Sequence, residues 1–584
     1  MSRPELTGRA AAWALARYAP KVFAIGASFI VVWWTLPVVL GLLLQRVFDR
    51  IADGQDVASA LTSLTVVELV RMALLYAFIA VWVRWWVTAL TLLRGNLLRA
   101  QLASGGDEAG PPVSGSGAAI TVFRNDVEDL VLYLDTWLDV AGTTGFAVAA
   151  LAIMLRVDAR VTLVVIVPLL VAFAVNVALA DRLRAYRRAD REATAVVTGF
   201  LGALFSAVLA VKVAGAERAS LARLHRSNVV RGQTAVRDRV LAESVEALSG
   251  STVDLSIGLV LLLASGAMRS GAFTVGDLAL FITYLPWLAA LPRWAGRLLT
   301  RQRHAEVGVS RMTQLVPPAA PGDVVAHRSL RLDPHAPTAP RARPASEAPA
   351  DVRLRAVGHT YPGGGGVHAI DLQLPPGSFT VLCGPVGSGK TTLLQALLGL
   401  LTPSEGTVEW NGRAVPDRAA HMVPPRAAYL AQVPRLFSAT LGENVLLGVE
   451  TPEQEAAEVL HRAAFETDVR RLNDGLATMI GPRGVRLSGG QVQRAATARA
   501  LAGDAALLVL DDLSSALDAH TERTLWSRLL DDRRHPTCLV VSHRAAALER
   551  ADQIVLLEAG RVRAVGTLDE LRSRGLDPLA TPAT

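Results

Sequence analysis

The sequence predicts two unlike domains in one chain: an all-α domain of six membrane-spanning helices, then an α/β domain of short buried strands alternating with helices. Three observations lead there. The 584 residues are 51% hydrophobic and 19% charged, with mean hydropathy +0.34, against roughly 45–50% and about 25% in soluble domains. The apolar residues gather in long runs before about residue 310 and in short runs after about residue 350. Between them lies a proline-dense stretch, Pro317 and Pro318 through Pro344 and Pro349, which resists helix and sheet alike. The predicted boundaries are 1–312 for the membrane domain, 313–350 for a Pro-rich linker and 351–584 for the α/β domain.

The same composition excludes several classes. Disordered chains are poor in apolar residues. A disulfide scaffold needs more than the two cysteines, Cys383 and Cys538, and both are expected to be reduced thiols. A net charge of +7 and a pI of 9.8 raise nucleic acid as a partner, but the location of the charge removes it.

Six runs are long enough for a bilayer core, which takes about 20 apolar residues per helix. They are Val22–Leu44, Leu69–Leu92, Trp137–Leu155, Val161–Ala180, Val253–Met268 and Leu278–Leu299. The third and fourth flank a short turn at Asp158 and form a helical hairpin. A removed signal peptide is not expected, because the first run starts after Lys21 without a small-residue cleavage site. Arg3, Arg9, Arg17 and Lys21 face one acid, Glu5, and residues 181–240 hold 12 basic against 5 acidic residues. Excess Arg and Lys marks the cytoplasmic side, so the N-terminus, 181–240 and the C-terminal domain are placed in the cytoplasm of a multi-pass plasma-membrane protein. Residues 94–136, with 3 basic and 6 acidic, depart from that trend. Both long segments read as helices continuing beyond the bilayer. Arg84, Asn176, Asp254 and Arg293 are polar positions in or near spans; Arg84 and Arg293 read as snorkelling to the interface, and Asp254 as interfacial near a span end. Trp33, Trp34, Trp82, Trp85 and Trp86 read as an interfacial belt and packing residues rather than a ligand pocket.

The second domain carries the chemistry. After the strand-like run Phe379–Cys383 come Gly384, Pro385, Val386, Gly387, Ser388, Gly389, Lys390, Thr391 and Thr392, a phosphate-binding loop leading into a helix. The glycines let backbone N–H groups turn inward, and the helix N-terminus adds about half a positive charge. Lys390 is placed to neutralise β- and γ-phosphates, and Thr391 to ligate Mg²⁺. The run Leu507–Leu510 ends in Asp511 and Asp512. Asp511 is placed to hold Mg²⁺, and Asp512 occupies the position of a base for attacking water. Together these predict a P-loop NTPase using Mg²⁺.

Leu487, Ser488, Gly489, Gly490 and Gln491 match the signature motif of ATP-binding cassette (ABC) proteins, and the resemblance covers the whole C-terminal domain. It implies that Tyr361 stacks on adenine, that Gln432 contacts Mg²⁺ and senses the membrane domain, that the segment Ser514–Asp518 is the D-loop and that His543 contacts the γ-phosphate. The first half resembles the six-helix membrane domain of type IV exporters, with Ser116, Gly117 and Arg124–Val127 like the first intracellular loop and Val211–Glu217 like the second. The resemblance implies that two ATP domains face head to tail. Each ATP then lies between one domain's Gly384–Thr391 loop and the other's Ser488–Gln491. A six-span chain is thus a half-transporter that must dimerise in the bilayer. The implied activity is ATP-driven export of a drug, peptide or lipid. The alternatives are an importer of this fold, a thiol or siderophore transporter, or an ATP-gated regulator. Two residues depart from the family pattern. Asp512 stands where glutamate is usual, which favours a heterodimer over a homodimer, and Pro482 stands where an acid is common.

Overall fold

The computed structural model describes residues 6–103, 116–269, 273–317, 320–330, 347–361, 363–402, 404–447, 452–481, 485, 487–513, 517–531 and 535–579. Pro482 and Ser514–Ala516 lie outside the described residues. The chain forms two compact units, one reaching Leu330 and the other comprising mainly the C-terminal remainder.

The N-terminal unit is helical throughout. Its elements are α1 (Gly8–Tyr18), α2 (Pro20–Ala52), α3 (Ala58–Ala103), α4 (Ser116–Thr121), α5 (Val127–Val157), α6 (Ala159–Ser206), α7 (Val208–Val213), α8 (Glu217–Arg269) and α9 (Val275–Thr313). Six helical segments, centred on α2, α3, α5, α6, α8 and α9, are long and apolar enough to cross a membrane. At 1.5 Å per residue the 48 residues of α6 measure about 72 Å, more than twice a hydrocarbon core of about 30 Å. The span predicted from Val161 is therefore the first half of a much longer rod. Asp158 makes the hairpin turn between α5 and α6: its carboxylate accepts the N–H groups of Arg160 (2.8 Å) and Val161 (3.0 Å), capping α6.

Helices α2, α5 and α9 pack as a core. Tyr284 of α9 lies so close to α2 that a Cβ on Gly41 would meet its ring at 2.2 Å. Its hydroxyl donates to the Val38 carbonyl at 2.6 Å. Past the apolar stretch, Asp129 of α5 pairs with Arg301 of α9 at 2.8 Å. Trp34, Trp82 and Trp85 are buried between helices, Trp85 to 1% exposure. These three are packing residues rather than an interfacial belt. Helices α6 and α8 pack on each other, yet with the short α7 between them they leave Phe205, Leu209, Val213, Leu221 and Val236 exposed. After α9, residues 320–330 stay with this unit: Asn96 donates to the carbonyls of Val324 (3.1 Å) and Ala326 (2.9 Å).

The C-terminal unit has two sheets. An antiparallel sheet orders β2 (Gly366–Leu374), β1 (Val352–Thr360), β4 (Glu405–Trp410) and β5 (Arg413–Ala414). A second orders β10 (Arg561–Gly566), β9 (Gln553–Glu558), β3 (Phe379–Cys383), β8 (Thr537–Val541), β7 (Leu507–Asp511) and β6 (Ala427–Leu430). It is parallel except for the β9–β10 pair. Every residue of β3, β7 and β8 is buried, as a parallel sheet covered on both faces requires. Alternate side chains feed two cores: Phe379, Val381, Leu508, Leu510, Cys538 and Val540 on one face, and Leu382, Leu507, Val509, Leu539 and Val541 on the other.

Candidate functional site

Strand register gathers the site. In the parallel pairs Leu382 lies opposite Val541, Val541 opposite Asp511, and Leu510 opposite Leu430. The C-terminal ends of β3, β8, β7 and β6 therefore line up. Just beyond them stand the 384–389 loop, His543, Asp512 and Gln432. Ligands of open α/β sheets bind at this edge.

The loop holds its shape because two positions admit only glycine. Gly384 has φ +151°, and a Cβ there would lie 2.0 Å from the Leu557 carbonyl oxygen; Gly389 has φ +98° and abuts Val367. Gly389 caps α10 (Lys390–Leu397), so the first N–H groups of that helix open onto the loop. Lys390 Nζ donates to the carbonyls of Gly384 and Pro385, both at 2.8 Å, which fixes the ammonium across the loop's mouth. Its pKa is lowered, by burial first, against the attraction of Cys383, Asp511 and Asp512. Ser388 is buried, with an Oγ that has no hydrogen-bond partner among the described residues, whereas Val386 is exposed.

Asp511 is 2% exposed. Thr391 Oγ1 donates to its Oδ2 at 2.8 Å. The Tyr429 hydroxyl, from β6, hydrogen-bonds the same carboxylate and also Gln395. Burial raises the Asp511 pKa, and the Thr391 hydrogen bond opposes the rise. Burial likewise pushes the Tyr429 hydroxyl up to about 12, so it stays a donor. Thr391 and Asp511 thus present two hard oxygens side by side, the donor type Mg²⁺ takes when water and phosphate complete its shell. Among the described residues no cluster of three or more His, Cys, Asp or Glu could hold a metal alone.

Asp512 has φ +51°, in the left-handed region that Asp tolerates better than most residues. It acts electrostatically on both Lys390 and His543. His543 has its pKa lowered, by desolvation first and by Lys390 second, against Asp512. From an ordinary value of 6.5 that makes it a neutral imidazole at pH 7, with one N–H to donate. Tyr361 stands edge-on to His359, centroids 4.7 Å apart, and its hydroxyl is 3.4 Å from Thr392 Oγ1. Gln432 is exposed.

The signature residues are held elsewhere. Ser488 caps the helix Gly489–Ala502 in a reciprocal box: its N–H donates to Gln491 Oε1 at 2.9 Å, and Gln491 N–H donates to Ser488 Oγ at 3.4 Å. Gln491 Nε2 donates to Asp468 at 3.1 Å, and Arg494 pairs with the same acid at 2.8 Å. Among the described residues none of these hydrogen bonds reaches the 384–392 loop. Asp518 caps the helix Ala519–Leu530, accepting from the N–H groups of His520 (3.0 Å) and Thr521 (2.9 Å). Sequence inspection missed Tyr429, whose place in an apolar strand makes it look like core. Both cysteines are free and buried, and burial pushes each thiol up to about 12.

Residues 367–515 match the family model of the ABC transporter domain. An ATP-dependent lipid A-core flippase of Burkholderia thailandensis is 41% identical over 208 residues, 35% of each chain. One of Chromobacterium violaceum is 29% identical over 466 residues, 79% of this chain and 77% of the relative. A probable multidrug resistance ABC transporter ATP-binding/permease protein of Bacillus subtilis is 30% identical over 338 residues, 56% of this chain and 54% of the relative. The chain thus spans about a third of the Burkholderia relative that it matches and about half of the Bacillus one.

Proposed function

We propose, for a chain whose C-terminal part is an ABC transporter domain homologous to exporter ATP-binding/permease proteins and whose N-terminal part is six membrane-capable helices, that it is one half of an ATP-driven exporter of amphipathic molecules. The carrying observation is the Thr391–Asp511 hydrogen bond beneath Lys390, in the same chain as the six helices. Residues 351–584 are the nucleotide-binding domain in this reading and 1–312 the translocation domain. The N-terminus and the ATP domain face the cytoplasm, as the arginine distribution favours.

The roles follow from the chemistry of each side chain. Bound Mg²⁺ would neutralise β- and γ-phosphate charge from the Thr391–Asp511 side, with Gln432 near it. Lys390 exchanges its two carbonyl partners for phosphate oxygens without leaving the loop. The N–H groups of Gly387, Ser388, Gly389 and Thr392 surround the phosphates, and Tyr361 covers the base. Asp512 accepts a proton from the attacking water, and the neutral His543 donates a hydrogen bond to the γ-phosphate. Ser488, Gly489, Gly490 and Gln491, tied to Asp468 and not to their own loop, serve the nucleotide of a second subunit, and Asp518 lies at the same interface. The exposed apolar residues of α6, α7 and α8 favour a dimer, since such surface calls for cover.

Aspartate is one methylene shorter than glutamate, and a misplacement of about 1 Å can cost on the order of a hundredfold in rate. This chain therefore works best beside a non-identical partner whose own base completes one fast site. The test is substrate-stimulated ATPase in liposomes with the direction of flux recorded, for the chain alone and with its genomic neighbour. Lys390→Ala should abolish both signals. Unchanged flux in that variant would remove the ATP-driven reading, and full activity of the chain alone would remove the heterodimer.

A further inference from the structure

We propose that the cavity between α2 and α9 binds an amphipathic anion, taking its acidic group on Arg293 and Arg297 and its apolar body against Trp34, Trp287 and Trp294. This rests on the transport reading above and names the class of its substrate. The cavity holds about 310 Å³ and is walled by those three indoles, the two arginines and Pro286. That lies at the small end of ligand sites of ~300–1,000 Å³. It suits the head and upper body of an amphiphile rather than a whole lipid.

Charge selects the sign of the ligand. Arg293 and Arg297 are four residues apart on α9, hence neighbours on one face, and like charges so placed repel. Farther along the same helix, Arg301 and Arg311 pair with Asp129 and Asp126. Among the described residues neither Arg293 nor Arg297 makes such an ion pair. The Arg297 guanidinium lies 4.8 Å from the centroid of the Trp294 ring. Among the described residues the acid that interacts with this pair is Asp139 of α5, which acts on Arg297 and already accepts the Trp34 indole N–H at 2.8 Å. One carboxylate against two guanidiniums leaves one positive charge uncompensated. Arg71 of α3, over the Trp33 and Trp287 rings at 5.1 and 5.4 Å, pairs with Glu68 at 3.1 Å and so adds wall rather than net charge.

Depth selects an amphiphile. At 1.5 Å per residue from the Val275 end of α9, Trp287 lies at about 18 Å, Arg293 at about 27 Å and Arg297 at about 33 Å. Against a hydrocarbon core of about 30 Å, Trp287 stands within the slab, Arg293 and Trp294 near its edge and Arg297 just past it. A ligand matched to that gradient keeps its apolar body in the membrane and its acid at the boundary. Snorkelling, the sequence-level account of Arg293, does not explain two guanidiniums on the wall of an indole-lined cavity.

The test uses the full chain in phosphatidylcholine nanodiscs and energy transfer from tryptophan to two dansyl probes. They are dansylaminoundecanoate and the amine analogue of the same length. Hydrogen bonds to charged groups predict about tenfold or greater preference for the anion. Arg293→Gln with Arg297→Gln should erase that preference, while Arg293→Lys with Arg297→Lys keeps most of it, which separates lost charge from lost folding. Equal binding of both probes by the unaltered protein, or a preference that survives the glutamine pair, would overturn the proposal. Replacing part of the phosphatidylcholine with phosphatidylglycerol distinguishes sources. Competition beyond that in protein-free nanodiscs identifies a bilayer phospholipid, and none identifies a free amphiphile. Vesicle uptake separates this proposal from the transport reading. Arginine-dependent binding without ATP-driven movement keeps the site and removes the transporter. ATP-driven movement of the anion that ignores the arginine pair keeps the transporter and removes the site.

Discussion

The two halves of the chain hold their charge in opposite ways. In the ATP domain Asp511 is closed in: Thr391 and Tyr429 donate to it, and Lys390 attracts it from the loop. In the helical domain Arg293 and Arg297 line a cavity with one shared acid nearby. A satisfied network is rigid and preorganised, suited to a ligand of fixed shape and charge. An unbalanced cationic wall between tryptophans suits ligands that differ in body and share a charge. In the function proposed above, the first arrangement serves a single nucleotide chemistry.

The strongest way to break this comparison is to remove the charge that the ATP site is built around. Lys390→Ala leaves the loop backbone intact but takes away the ammonium that Gly384 and Pro385 hold in place. Loss of one preorganised electrostatic group costs about 10²–10³ in turnover. Steady-state ATPase in nanodiscs should fall by that amount or more, while binding of the dansyl anion at the arginine wall stays measurable. Loss of both together would mean that the two sites are not separable in the way described.

Asp512→Glu sharpens the comparison from the other side. If the shorter carboxylate slows this chain's own site, glutamate should raise single-turnover hydrolysis by up to about a hundredfold. The left-handed φ of +51° at this position suits aspartate better than glutamate, so thermal melting should show a small loss of stability in the same variant. Unchanged turnover would mean that aspartate already serves as the base, and with it the case for a non-identical partner falls away.

Much of the fold of the C-terminal domain was legible in the sequence because strand order and a glycine-rich loop leave local marks. Gly384 and Gly389 must be glycine, and an acid ending a buried strand has few other uses. Tyr429 was not legible, because its hydroxyl meets Asp511 only through the β6–β7 pairing. In the helical domain length and hydropathy revealed the spans but not their mutual rotation. Asp139 sits inside an apolar run, and Trp34 reaches Trp287 and Trp294 only when α2 crosses α9. Packing of distant helices made that cluster, and no local pattern announces it.

Tyr429→Phe tests the closed network more gently. It deletes one donor to Asp511 and keeps the ring that fills the core. A hydrogen bond to a charged group corresponds to about tenfold in affinity. The Mg²⁺ concentration for half-maximal ATPase should rise by that order, with a smaller change in maximal rate. A fall in maximal rate at unchanged Mg²⁺ requirement would show that Tyr429 supports the fold and not the carboxylate.

The smallest expected effect concerns Asp518, whose carboxylate caps the helix Ala519–Leu530. Its pKa is lowered from 3.8 to about 2, chiefly by the Thr521 side-chain hydrogen bond and then by the Thr521 backbone N–H. A carboxylate with a depressed folded-state pKa stabilises the fold fully above its unfolded value. That contribution is lost as pH falls through the folded value. The window is therefore about pH 4 down to about pH 2, and neutral pH should be silent. Asparagine can accept the same backbone N–H groups without titrating. Asp518→Asn should leave melting near pH 7 almost unchanged and flatten the acid limb of the melting curve, whereas Asp518→Ala should lower melting at every pH. An acid limb that keeps its slope in the asparagine variant would assign acid sensitivity to other carboxylates. Asp511 is then the first to examine, because burial displaces its pKa in the opposite direction.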